Sequence, residues 1–157
     1  MKHLSIIIVM LFTVITASSQ KQAENGFKDV MTSDTTLNNF MIHWLRKPYK
    51  FGGRTEKGID CSQFNKRLYQ DVYNKVLGDV AEEQWKQTKR IKRDSLQVGD
   101  LVFFRSRQSP SGWHCGTYIG NTYFIHAANK YEGVKISSLN EPRYIKSIKG
   151  FGRLITE

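Results

Sequence analysis

The sequence predicts an α+β fold in which N-terminal helices pack on a mainly antiparallel sheet. Two observations carry this. Apolar residues recur at helical spacing only in the first half of the chain, at Leu37, Phe40, Met41 and Trp44 and again at Phe64, Leu68 and Val72. Short apolar runs separated by turn residues fill the second half, from Leu101 onward. Helices followed by strands with hairpin spacing fit an α+β order and not alternating β and α units.

The chain has 157 residues, room for one domain of the usual size of about 100–150 residues. Such a domain buries enough surface to fold without a staple. Met1–Ser19 reads as a secretory leader: Lys2 and His3 give a basic start, Leu4 to Ile15 is apolar, and Ala17, Ser18 and Ser19 are small. The apolar run is shorter than the ~20 residues that span a bilayer. An uncleaved anchor is the alternative. Residues 20–35 form a polar lead-in, and 36–157 the domain. The expected product is exported, to a periplasm or the medium, with no transmembrane segment once the leader is removed, and monomeric.

The elements follow in order. The first helix is expected over Thr36 to Leu45 and ends before Pro48; Tyr49 to Gly53 turns the chain, and Arg54 to Ile59 is a polar loop. Asp60 is a good N-cap for a helix from about Cys61 to Tyr73, with Phe64, Leu68 and Val72 on one face. Gly78 breaks that run. Val80 to Arg93 is polar and basic around Trp85 and suits a short helix over the site. Val98 to Asp100 is a turn, Leu101 to Phe104 a buried strand, and Ser106 to Gly112 a loop. Trp113 to Ile119 and Thr122 to Ala127 form a hairpin about Gly120-Asn121. Val134 to Leu139 and Phe151 to Ile155 supply the remaining strands.

The formal net charge is +10, and loss of the leader lowers it by one. Such a surface favours polyanions, of which anionic cell-envelope polymers are one class. The cations are spread over three segments, Arg46 to Arg54, Lys86 to Arg93 and Arg143 to Arg153, and form no single block. Together with export, this argues against a nucleic-acid partner.

The chemistry rests on few residues. A thiol attacks as its thiolate, and the partial positive charge of a helix N-terminus favours that anion. Cys61 falls in the first turn of the second helix. Cys115 falls in a strand, and the settings of the two argue against a disulfide between them. Of the four histidines, His3 lies in the leader and His43 in the first helix. His114 and His126 lie on consecutive strands of one hairpin. A two-residue loop at Gly120-Asn121 sets them on opposite faces; a three-residue loop, Ile119 to Asn121, sets them directly opposite on one face, and is the register favoured here. A cysteine at a helix start and two neighbouring histidines fit nucleophile, base and orienting residue.

Four stretches carry a family resemblance: Pro48-Tyr49-Lys50-Phe51-Gly52-Gly53, Ile59-Asp60-Cys61-Ser62, Val98-Gly99-Asp100-Leu101-Val102-Phe103-Phe104, and His114-Cys115-Gly116-Thr117-Tyr118-Ile119-Gly120 followed by Phe124-Ile125-His126-Ala127. In this order they resemble the NlpC-type family of papain-like cysteine endopeptidases of the cell wall. The resemblance implies the papain-like NlpC-type fold, and hydrolysis of an amide in peptidoglycan stem peptides, commonly between the side-chain carboxyl of D-glutamate and a diamino acid. It implies Cys61 as nucleophile, His114 as general base, His126 as orienting residue and Tyr49 as oxyanion donor. Asp60 and Ser62 match positions that hold the free amine of a stem peptide. No cofactor or metal is implied, and neither cysteine has the closely paired ligand spacing of a structural zinc site. The sequence departs from the family pattern at Gln63, where a glycine is usual, at Cys115, where an aliphatic residue is usual, and over Val80 to Arg93.

Two other readings remain at this point: a papain-like acyltransferase or amidase acting on another substrate, and a basic envelope-binding module with a silent site. Fold does not decide among them.

Overall fold

Asp34 opens the first helix. Its Oδ1 accepts the backbone N–H groups of Thr36 and Leu37 at 2.9 and 3.0 Å, two of the amides that a helix start leaves without partners. A computed structural model describes residues 30–155. The expected leader, Met1–Ser19, and most of the lead-in lie outside the described residues. Helix α1 (Thr35–Trp44) buries Leu37, Phe40, Met41 and Trp44, the stripe its sequence predicts.

The chain then differs from expectation. Arg54 to Ile59 is no loop but a small hairpin, β1 (Arg54–Thr55) with β2 (Gly58–Ile59). Its strands have two residues each, too few to show an alternating pattern. Helix α2 (Cys61–Tyr73) has the expected bounds; what ends it is Asn74, in a left-handed conformation with φ 51, and not Gly78. Asparagine tolerates that conformation better than most residues. The aromatic rings of Phe40 and Trp44 meet Phe64 at 5.7 and 5.9 Å and lock α1 to α2.

Helix α3 (Ala81–Lys86) is the short helix expected in the basic segment, but Thr88–Ile91 beyond it is a strand, β3. Strands β4 (Leu101–Arg105), β5 (Trp113–Gly120), β6 (Tyr123–Ala127), β7 (Val134–Ser138) and β8 (Ile148–Leu154) follow, with a one-turn helix α4 (Pro142–Ile145) before the last. The six-stranded sheet has the order β3-β8-β4-β5-β6-β7, and every pairing is antiparallel.

The sheet is apolar on both faces. On one, α2 packs across β5 and β6, and Phe103 meets Trp85 of α3 at 5.1 Å. Side chains alternate along a strand, so Phe104 turns the other way. There it joins Val102, Phe124, Leu139, Tyr144 and Phe151 in a buried cluster. Each fully buried aromatic or leucine side chain contributes about 1.5–3 kcal/mol. The second cluster matters to function because His114 and His126 sit against it. No helix among the described residues is long and apolar enough to cross a membrane.

Candidate active site

Cys61 is placed by the residues on either side of it. Upstream, the Ile59 N–H donates to Pro48 O at 3.1 Å and the Lys50 N–H to Ile59 O at 3.2 Å, so Tyr49 lies beside Ile59. The turn between them needs Gly52 at φ 68. It also needs Gly53 without a side chain, because a Cβ there would collide with the Gly58 carbonyl. Immediately before Cys61, Asp60 caps α2. Its Oδ1 accepts the Gln63 N–H at 2.8 Å and the Ser62 hydroxyl at 2.9 Å; its Oδ2 accepts the Gly52 N–H at 3.0 Å. Burial pushes the Asp60 carboxyl up, and these hydrogen bonds oppose it. Cys61 is therefore the first residue of a rigidly capped helix.

The Cys61 thiol is held well below the ordinary thiol range. The adjacent Cys115 and the charge of His114 favour the thiolate, and burial opposes them. Cys115 moves the other way. It is fully buried, and an adjacent thiolate disfavours a second one, so its thiol is pushed well above the usual range. Both cysteines are free. The Cys115 thiol also lies 3.7 Å from Gln84 Oε1. The unusual cysteine after His114 is thus more than an apolar filler: it is a buried thiol that keeps its proton and donates it to Gln84 Oε1.

His114 Nε2 lies 2.7 Å from His126 Nδ1. Neither hairpin register considered from the sequence is the observed one. Thr117 pairs with Ile125, Tyr118 with Phe124 and Gly120 with Tyr123, with an irregularity at Ile119. The turn is Asn121-Thr122, both with positive φ, as a type I′ loop requires. Continued along the strands, this register sets His126 opposite Gly116, with His114 two residues farther along the same face. A diagonal pair of that kind is within reach of long side chains. Gly116 has no side chain because a Cβ would lie 2.7 Å from Phe124 and 3.1 Å from His126 Cβ.

His126 is 1% exposed. Burial, then the charges of His114, Lys135 and Arg143, hold its imidazole well below the usual histidine range, so it is neutral. Its Nε2 faces the hydroxyls of Ser137 at 3.1 Å and Tyr144 at 3.3 Å. These two residues escaped sequence reading; no local pattern marks a hydroxyl that reaches a histidine from another strand or helix. Rings pack the remaining sides, with Phe124 4.6 Å from His126 and Phe104 5.9 Å from His114.

Tyr49 borders the same cleft as Cys61. Burial, with the nearby charges of Cys61, Asp60 and Cys115, pushes its phenol up to about 12, so it keeps its proton and can donate. Gln63 forms part of the cleft wall. Its Nε2 donates to Asp79 O at 2.7 Å and ties α2 to the segment before α3. Buried Gln84 of α3 extends that tie, donating to Ser62 O at 2.8 Å and Gly78 O at 3.0 Å. The poorly matching segment is therefore fastened to the helix that carries Cys61. Among the described residues no group of three or more His, Cys, Asp or Glu side chains could hold a metal ion.

Comparison with known proteins follows this geometry. Residues 46–153 match the model of the NlpC/P60 family. The chain is 36% identical over 139 residues to a protein of Escherichia coli K12 named murein DD-endopeptidase MepS/murein LD-carboxypeptidase, covering 88% of this chain and 72% of that protein. It is 35% identical over 119 residues to the probable endopeptidase NlpC of the same strain, covering 76% of this chain and 77% of that one. A solved NlpC/P60 family protein from Bacillus cereus superposes with a TM-score of 0.69 at 28% identity over 80% of this chain. This chain spans 41% of that structure's length.

Proposed function

The chain belongs to the NlpC/P60 family, and on that premise we propose that it is a cysteine endopeptidase that hydrolyses amides in peptidoglycan stem peptides. The observation that carries this reading is the line Cys61–His114–His126: a buried cysteine at a helix start, an imidazole lining the same cleft whose charge helps lower the thiol pKa, and a second, neutral imidazole 2.7 Å from the first. A dead binding module has no use for a lowered thiol pKa, and sites with such perturbed groups in a cleft are where chemistry occurs.

In the proposed mechanism the Cys61 thiolate attacks the scissile carbonyl. The oxyanion is held by the Cys61 backbone N–H, one of the amides the helix start leaves without a partner, and by the Tyr49 hydroxyl. His114 protonates the leaving amine through the nitrogen that faced the sulfur. Its other nitrogen donates to His126 Nδ1, and His126 Nε2–H donates in turn to Ser137 or Tyr144. That chain fixes the tautomer of both rings. Water then releases the acyl-enzyme with His114 as base. Asp60 and Ser62 line the side of the cleft that takes the free amine of the stem.

The bond we favour joins the γ-carboxyl of D-glutamate to a diamino acid. The name of the E. coli relative, a DD-endopeptidase and LD-carboxypeptidase of murein, directs attention to a second kind of bond. Digestion of purified wall fragments, with mass spectrometry of the new termini, separates them. A new diamino acid amine at one defined position is expected. Wall fragments left intact by a folded protein, or acyl groups transferred to other nucleophiles with no hydrolysis, would overturn the reading. Because this substrate lies outside the cytoplasmic membrane, we infer that the protein acts there.

A further inference from the structure

Three cavities join end to end along the cleft. The middle one, about 580 Å³, touches both Cys61 and His114. The second, about 190 Å³, shares Tyr49, Cys61 and Trp113 with it and extends past Asp60 and Asp79. The third, about 290 Å³, shares Ser106, Gln108 and His114 with the middle one and reaches away from Cys61. The outer two have no residue in common. The cleft therefore has a cysteine end and a histidine end, with the reacting pair between.

The two ends differ in charge. The cysteine end presents the carboxylates of Asp60 and Asp79 with one guanidinium, Arg54. The histidine end is bordered by Arg105, Arg107 and Arg143 and by no acidic residue. Arg143 is already paired with Glu132 at 3.3 Å and Glu141 at 3.0 Å. Arg105 and Arg107 are exposed, and neither guanidinium has an ion-pair partner among the described residues. Arg105 is held at the end of β4 by its own N–H, which donates to Ser147 O at 2.7 Å.

A general acid must reach the nitrogen it protonates. The leaving fragment therefore lies on the His114 side, and the acyl fragment on the side of Cys61. When the leaving amine is the α-amine of an amino acid, its α-carboxyl is two bonds from that nitrogen. A carboxylate so placed faces the cavity that Arg105 and Arg107 border together with His114, and forked guanidinium contacts suit a carboxylate. We propose that Arg105 and Arg107 bind the α-carboxylate of the leaving amino acid, so that the protein selects stems whose leaving residue ends in a free carboxylate over stems that are amidated or extended there. This deepens the proposed peptidase reading and rests on it for the direction of the substrate.

The test uses two peptides, L-alanyl-γ-D-glutamyl-L-lysine and the same peptide with a C-terminal amide. Each is measured twice: kcat/KM with the unaltered protein, and Kd by calorimetry with Cys61→Ala, which does not turn over. The same pair is then measured after Arg105→Gln and Arg107→Gln together, with the melting temperature as a check on folding, and after Arg105→Lys as a variant that keeps the charge. The expected result is an advantage of the free acid of roughly tenfold or more, the scale of a charge-assisted contact. It should fall toward unity in the double variant and survive in part in Arg105→Lys. Equal affinities of the two peptides for Cys61→Ala, or no binding of either, would overturn the carboxylate pocket even if walls are digested. A preserved preference in binding with no hydrolysis of any stem would uphold the pocket and count against the peptidase reading alone.

Discussion

His114 Nε2 and His126 Nδ1 stand 2.7 Å apart with their rings nearly perpendicular, at 72°. His126 is buried and neutral, so one of its nitrogens accepts and the other carries the proton; in the proposed relay Nδ1 accepts and Nε2–H donates toward Ser137 or Tyr144. His114 then has its Nε2–H committed, and its other nitrogen is the one available to Cys61.

The roles of the two rings separate in mutants. His114→Ala removes the group that moves the proton and should lower kcat by about 10²–10⁴-fold. His126→Ala removes only orientation and should cost less. Tyr144→Phe, which leaves Ser137 as the acceptor of the His126 proton, should cost least. Steady-state kinetics on the three variants, each checked for folding, measure the order; a folded His126 variant more damaged than His114→Ala would contradict it.

Burial of His126 also makes a claim about acid stability. Its folded pKa lies below the unfolded value of about 6.5, so below that pH the unfolded chain takes up a proton that the folded chain refuses. Stability is full above about pH 6.5 and is lost as pH falls toward the folded pKa, by up to about 1.4 kcal/mol per pH unit. The depressed carboxylates, Glu56 and Glu132 at about 2, act only below about pH 4.5. Urea unfolding between pH 5 and 7 should therefore show this slope added to that of the depressed Cys61 thiol, which has the same sign, and His126→Gln should reduce it. An equal slope in both proteins would remove His126 as its cause.

Tyr49 keeps its proton to about pH 12 and borders the sulfur. Tyr49→Phe should lower kcat by about 10²–10³-fold, as loss of one oxyanion donor does, with KM little changed. A rise in KM with kcat intact would make Tyr49 a substrate contact and not an oxyanion donor.

Much of this was legible in the sequence. Cys61 sits beyond a capping aspartate, Asp60, and capping is a local signal. The stripe of α1 and the apolar run at Leu101 are periodic signals of the same kind. The hairpin register was not legible, because both positive-φ residues, Asn121 and Thr122, follow a glycine that looks like the better turn former. Strand β3 is not legible because Lys89 and Arg90 lie exposed on an edge strand, so its composition looks like that of a loop. Ser137, Tyr144 and Gln84 became visible only when the fold brought distant residues to the histidines and to α2.

Gly116 tests how tightly the histidines are packed. A methyl group there would press on Phe124 and on the His126 Cβ. Gly116→Ala should destabilise the protein by about 1–3 kcal/mol and lower kcat with it, since the same methyl displaces His126. Thermal melts and kinetics on one preparation check this. Full activity at unchanged melting temperature would show that the strands are farther apart than described.

The most direct test of the account is the pH dependence of iodoacetamide labelling, followed peptide by peptide with mass spectrometry. Cys61 should label rapidly at and below neutral pH while Cys115 stays unlabelled. Cys115→Ala and His114→Ala should each move the Cys61 profile to higher pH, because each removes a group that stabilises the thiolate. A Cys61 that labels only as the pH rises through about 8.5, like a free thiol, would contradict the account.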